Sequence, residues 1–172
     1  MKRIASSHAA AMLALLSGIG AVALVPRAAS AQSAGLSWIF ATNGTVPRGA
    51  VVGGWEPDRT LFVCRAWYGG GVHPGKLVGA NCNIGWGGQE RALNSYEVLV
   101  GNSDRVTWVD ASFGGIPARA VSGGSEPGRS NLYVCRAQYN GWQPGKIVGQ
   151  NCNFGYGGDE KLSPYYQVLV EQ

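Results

Sequence analysis

Apolar and polar residues alternate along much of this chain with a period of two, and no helical period persists for three turns. Leu61-Phe62-Val63-Cys64-Arg65-Ala66 and Leu132-Tyr133-Val134-Cys135-Arg136-Ala137 are strand-length runs of β formers. On a two-residue period Phe62, Cys64, Ala66 and Tyr68 share one face, while Val63 and Arg65 lie on the other. Further strands are predicted at Trp38-Ile39-Phe40, from Asn81 to Trp86 and from Tyr96 to Val100. Gly69-Gly70-Gly71 and Gly87-Gly88 interrupt these runs. Pro74-Gly75 reads as a turn, because proline presets φ at the second turn position and glycine supplies positive φ at the third. Lys76 would then project near a loop end. The expected fold class is all-β.

The pattern occurs twice. Cys64 to Glu90 returns as Cys135 to Glu160, sharing C-R-A-x-Y, then P-G-K-[LI]-V-G, then N-C-N-[IF]-G-[WY]-G-G-x-E. Hydrophobic periodicity alone would not preserve Pro, Gly, Lys, Asn and Glu at matching places. Outside this core, Trp38 answers Trp108, Glu56 answers Glu126 and Tyr96 answers Tyr166, each 70 residues on. The repeats cover residues 38–100 and 108–170, with Gly101 to Asp104 as a very short linker. One copy alone would expose a sheet face. Two copies packed about a pseudo-twofold axis would bury both faces in one compact domain, residues 32–172.

The start of the chain reads differently. Lys2 and Arg3 precede an uncharged, Ala/Leu-rich run from Ala9 to Val25, and Ala29-Ser30-Ala31 is an A-x-A signal. This predicts a secretory signal peptide, residues 1–31, cleaved after Ala31, and a secreted or periplasmic product without membrane insertion. The leader carries Lys2, Arg3 and Arg27, so the formal charge falls from +4 to near +1 on its removal. That balance gives no reason to expect nucleic acid as a partner.

Two cysteines in each repeat of a secreted chain predict disulfides. The near-equal spacings Cys64…Cys82 and Cys135…Cys152 point to one bridge within each repeat, linking neighbouring strands. Four cysteines allow three connectivities, so bridges between repeats stay open at this level. A zinc site is not expected: no C-x-x-C occurs, and His73, the sole histidine after Ala31, has no histidine at the matching place in the second repeat. No metal and no other cofactor are expected.

Candidate chemistry is sparse. No G-x-S-x-G occurs and no thiol is left over, so the chain reads as non-enzymatic. Glu90 and Glu160 follow Gly-Gly, where a carboxylate accepts hydrogen bonds from turn amides or pairs with Arg65 or Arg136. Lys76 and Lys146 recur in the same Pro-Gly-Lys frame, and Glu56 and Glu126 recur in G-G-x-E-P. A lysine donor and a carboxylate acceptor together clamp adjacent hydroxyls of a sugar. Trp67, Trp142, Tyr68 and Tyr139 offer flat apolar faces for sugar C–H groups, although aromatics more often serve packing. Replacing both lysines by alanine is expected to remove binding without lowering stability.

The combination of [LF]-[YF]-V-x-R-A, P-G-K, G-G-x-E and [YE]-x-V-L-V resembles the DM-nine repeat family, from about Trp38 to Val170. The resemblance implies a β-rich fold of two intertwined repeats and recognition of carbohydrate, with mannose-type glycans the expected ligand. In lectin members the site uses the lysine of P-G-K and an acidic residue before the [LF]-[YF] strand. Carried onto this chain these are Lys76 with Glu56, and Lys146 with Glu126. The acidic residue resembles aspartate in those members and is glutamate here, one methylene longer. Two shallow sites, or a homodimer, would add avidity on a multivalent glycan. The alternative is a non-catalytic structural or protein-interaction module of the cell envelope.

Overall fold

The computed structural model describes residues 35–172; the leader and its cleavage point after Ala31 lie outside them. Among the described residues the chain forms fourteen strands and one short 3-10 turn. The first copy supplies β1 (Ser37–Thr42), β2 (Val52–Glu56), β3 (Arg59–Tyr68), β4 (Gly71–Val78), β5 (Asn81–Trp86), β6 (Gln89–Leu93) and β7 (Ser95–Val100). The second supplies β8 (Val106–Ser112), β9 (Ser122–Glu126), β10 (Arg129–Gln138), β11 (Trp142–Val148), β12 (Asn151–Tyr156), β13 (Asp159–Ser163) and β14 (Tyr165–Glu171). The fold is all-β, as the alternation predicts.

The repeats do not sit side by side as separate sheets. All strands join one sheet in the order β1-β7-β3-β2-β11-β12-β13-β6-β5-β4-β9-β10-β14-β8, and the extra pairings β3–β4 and β10–β11 close it on itself. The copies meet where β2 pairs with β11 at Trp55 and Trp142, where β4 pairs with β9 at Val72 and Ser125, and where β6 pairs with β13 at Gln89 and Asp159.

The two faces of β3 and β10 divide the core as their period demands. Cys64 and Ala66 pack with Ile84, Tyr96 and Val98 in one cluster, and Cys135 and Ala137 pack with Phe154, Tyr166 and Val168 in its counterpart. On the opposite face Val63 and Val134 join Val51, Leu99, Val121 and Leu169 in a third cluster shared by both copies. This shared cluster buries the face that a single copy would expose, with each fully buried aliphatic side chain contributing roughly 1.5–3 kcal/mol.

Two local expectations are corrected. Pro74-Gly75 is not a turn: both residues lie inside β4, and the flanking turns fall at Gly69-Gly70 and Gly79-Ala80. Close packing explains the motif. A Cβ on Gly75 would collide with the backbone oxygen of Asn83, and a Cβ on Gly123 would come within 2.5 Å of the Pro74 ring, a contact mirrored by Gly53 and Pro144. Pro-Gly thus locks each β4-type strand against the other copy. The disulfides are Cys64–Cys82 and Cys135–Cys152, within each repeat as expected, but they do not join hydrogen-bonded neighbours. Cys64 on β3 and Cys82 on β5 lie on either side of β4, opposite Gly75 and Leu77. The sheet curls over the small glycine so tightly that the two Cα atoms are 5.9 Å apart. Closing loops of this size stabilises by about 3 kcal/mol on a chain-entropy view. The short linker leads into a 3-10 turn, Ser103–Arg105, which Asn102 caps by accepting from the Asp104 N–H at 2.9 Å.

Candidate functional site

Lys76, in the middle of β4, is only 2% exposed, as is Lys146 in β11. Neither is a solvated turn lysine. A buried ammonium needs acceptors, because stripping its water without replacement costs several kcal/mol. Lys76 Nζ donates to Glu56 Oε1 at 2.9 Å and to Gln143 Oε1 at 2.6 Å. It also lies 4.8 Å from the centre of the Tyr156 ring, a cation–π distance. Glu56 comes from the end of β2, in the same copy as Lys76, but Gln143 and Tyr156 come from the other copy. The expected Lys76–Glu56 pair therefore forms, and two further residues complete it that sequence reasoning did not single out.

Lys146 sits in the matching place with different company. Its Nζ donates to His73 Nδ1 at 2.9 Å. His73 Nε2 is 3.0 Å from the Tyr68 carbonyl, which only accepts, so Nε2 carries the proton and Nδ1 is the acceptor for lysine. His73 thus has a counterpart after all: Gln143, whose Nε2 donates to the Tyr139 carbonyl at 3.0 Å while its Oε1 accepts from Lys76. Both side chains are completely buried and offer one donor and one acceptor in the same directions. The 70-residue offset already sets His73 opposite Gln143, each directly before Pro-Gly-Lys, but only the hydrogen bonds show that the two play one role.

Glu126 is not bonded to Lys146. Its Oε1 accepts from Arg129 Nη1 at 2.6 Å, and its Oε2 lies 3.7 Å from His73 Nδ1. Burial holds the Lys146 ammonium below the ordinary lysine range, although Glu126 and Glu160 pull the other way. Burial, and then the Lys146 cation, hold His73 below the ordinary histidine range.

Each lysine opens onto a small cavity. Glu56, Lys76, Asn83, Glu90 and Tyr156 line one of about 270 Å³, and Glu126, Lys146, Asn153, Glu160 and Trp86 line its counterpart of about 180 Å³. Glu90 and Glu160 accept from turn amides, as their position after Gly-Gly implies, but the amides belong to the opposite copy. Gly158 N–H donates to Glu90 and Gly88 N–H to Glu160, both at 2.9 Å. Neither carboxylate pairs with Arg65 or Arg136: Arg65 bonds Glu97 at 2.7 Å and Arg136 bonds Gln167 at 2.8 Å.

The four aromatics named from sequence lie elsewhere. Trp67 is 68% exposed on the outside, and Tyr68 packs edge-on against Trp86 at 5.2 Å. Tyr139 packs on Phe154 and Tyr156. Trp142 stacks on the Arg136 guanidinium, which also sits over Trp108, and burial pushes that group down to about 10. A larger surface cavity, about 420 Å³ between Trp142, Tyr165 and Asp110, contains neither lysine. The walls at the lysines are Tyr156 and Trp86, the [WY] of G-[WY]-G-G, each contributed by the copy opposite its lysine. Among the described residues no cluster of three or more His, Cys, Asp or Glu is arranged to hold a metal ion.

This arrangement defines a two-repeat all-β protein with paired lysine–carboxylate cavities at the seam between its copies. The DM9 repeat model matches residues 23–77 and 56–162, and the chain belongs to the DM9 repeat family. At the level of the family, membership suggests lectin-like carbohydrate binding. The chain is 36% identical over 101 residues to Natterin-3 of Thalassophryne nattereri, covering 56% of this chain and 27% of that protein. Among solved structures it is similar to the nematode sperm cell motility protein MFP2B, with a TM-score of 0.61 and 16% identity over 80% of this chain and 46% of that one. That second likeness is one of fold alone. The chain spans about a quarter of the first protein and under half of the second. No helix among the described residues is long and apolar enough to cross a membrane. The two disulfides fit an oxidising, extracellular compartment.

Proposed function

We propose that this protein is a secreted or periplasmic, non-catalytic carbohydrate-binding protein with two similar sites, selective for mannose-type glycans. The observation that carries this reading is the duplicated cavity in which a buried lysine, carboxylates, an asparagine and an aromatic wall converge. An ammonium donates to sugar oxygens, a carboxylate accepts from sugar hydroxyls and a ring face covers C–H groups. Cavities of 180 and 270 Å³ suit a single sugar ring, not an extended chain. Small wet sites of this kind bind weakly, and two of them, or a dimer, add avidity on a multivalent surface. The carboxylates are occupied in holding lysine, arginine and turn amides, which suits binding better than acid–base catalysis.

A glycan-array screen of the 32–172 protein, with free mannose as competitor, tests the proposal. Mannose-type binding that free mannose displaces supports it. A blank array from folded, oxidised protein rejects it in favour of a protein-interaction module. One observation favours that second reading: Lys76 and Glu56 already satisfy each other at 2.9 Å, so a ligand must compete with an existing ion pair.

A further inference from the structure

Asn83 and Asn153 stand directly across the strand ladder from the two lysines. Lys76 pairs with Asn83 between β4 and β5, and Lys146 pairs with Asn153 between β11 and β12. Directly opposed residues put their side chains on the same face of a sheet, with Cβ atoms about 5 Å apart. Each asparagine lines the same cavity as its lysine.

The orientation of each amide is determined by its neighbour. Asn83 Nδ2 donates to Glu90 Oε1, and Asn153 Nδ2 donates to Glu160 Oε1, both at 2.9 Å. A carboxylate has no proton to give, so the amide cannot be reversed without facing oxygen to oxygen. The carboxylates are themselves held from behind by the Gly158 and Gly88 amides of the opposite copy. This leaves Asn83 Oδ1 and Asn153 Oδ1 as buried acceptors that no protein group satisfies. Asn153 is 7% exposed, so its oxygen is shielded from bulk solvent as well. Buried acceptors without partners are rare, and the same one at the same place in both copies is not a packing accident.

We infer that Asn83 and Asn153 read the ligand, each accepting a hydrogen bond from one ligand hydroxyl while the opposed lysine donates to the neighbouring ligand oxygen. The inference rests on the carbohydrate reading and narrows it. The ligand must present a hydrogen-bond donor and an acceptor on adjacent atoms, as a vicinal diol does. Anionic groups are disfavoured, because phosphate, sulfate or carboxylate would bring lone pairs against the asparagine oxygen with Glu90 or Glu160 just behind it. The substrate class is therefore a neutral polyhydroxylated sugar. Glu90 and Glu160 act as positioning residues that fix the orientation of each asparagine amide.

The probe is methyl α-mannoside, titrated calorimetrically against wild type and against the Asn83→Ala, Asn153→Ala double variant, with folding checked by thermal unfolding. Loss of one such hydrogen bond per site predicts about tenfold weaker binding. Equal affinity in a folded double variant overturns the inference while leaving the carbohydrate reading standing. A second measurement alters the sugar: in a monodeoxy mannoside series on wild type, at least one deoxy position should lose about tenfold. In the double variant that same position should lose little, since the two changes remove one interaction. A series in which every deoxy sugar binds like its parent overturns the inference. Wild type that binds neither methyl α-mannoside nor any glycan on the array overturns both the inference and the reading beneath it.

Discussion

The Lys76 and Lys146 sites share a backbone, a register and a set of roles, yet they hold their cations differently. Lys76 lies between a carboxylate and an amide oxygen, whereas Lys146 rests on a neutral imidazole while its nominal carboxylate turns to Arg129. The change from Gln143 to His73 and the drift of Glu126 go together. In the second site the acidic side chain balances a buried imidazole, a lysine and an arginine, and it settles nearest the arginine. Duplication therefore preserved the frame that delivers each lysine and let the electrostatics around it diverge. The two sites need not have equal affinity or equal response to pH.

The largest expected effect separates them by stability. Lys76→Ala strands Glu56 and Gln143 around a buried hole and should destabilise by about 3 kcal/mol. Lys146→Ala strands mainly His73 Nδ1 and should cost about 1–2 kcal/mol. Urea denaturation of the two single variants measures the difference, and equal losses would mean that the two sites hold their lysines equally firmly. Either loss also corrects the expectation that removing the lysines leaves stability untouched.

A smaller effect concerns pH. The groups facing His73 are the Lys146 ammonium, the Tyr68 carbonyl and the Glu126 and Glu160 carboxylates, and the net result is a histidine that resists protonation. The unfolded chain takes up its proton near 6.5, above the folded value. Below that pH the unfolded state binds more protons, so stability is full above 6.5 and falls as the solution is acidified towards the folded value. A proton on Nδ1 would also point at the lysine ammonium, so acid should weaken the Lys146 site and spare the Lys76 site. His73→Gln, which copies the first site, should remove both effects. Denaturation at pH 7.5 and pH 5.5, with and without the substitution, is the measurement. An unchanged pH dependence in His73→Gln would locate it elsewhere.

The smallest effect tests the drift of Glu126. Arg129 is an exposed partner, and surface pairs contribute about 0.2–1 kcal/mol, so Arg129→Ala should change stability little. It should nevertheless release Glu126 towards Lys146 and raise that lysine's proton affinity. Side-chain NMR of Lys146 in the variant would show whether the second site becomes more like the first.

Much of this was legible in the chain itself. Repetition marked Lys76, Lys146, Glu56, Glu126, Glu90 and Glu160, because a role needed twice leaves the same residue twice. The strand runs around Cys64 and Cys135 were legible because buried alternation has a period. Pro-Gly misled, since local propensity suggests a turn while close approach between copies demands a strand there. His73 was overlooked as unmatched because glutamine and imidazole are alike only in what they donate and accept. Tyr156 and Trp86 were visible as a repeated [WY], but not as walls of sites whose lysines lie 80 and 60 residues away.

By itself, then, the order of amino acids determined the fold class, the duplication, the presence of two matched cysteines in each copy and the identity of the cations, while the structure settled which cysteines pair. Those depend on period, spacing and composition, which are one-dimensional quantities. Only the tertiary structure decided which residues share a cavity. The strands of the two copies interleave in one closed sheet, so each lysine is completed by the opposite copy: Lys76 by Gln143 and Tyr156, Lys146 by His73 and Trp86. Such partners are set by sheet closure and by the close approach that Pro-Gly permits, and no local pattern in the chain encodes which ones meet.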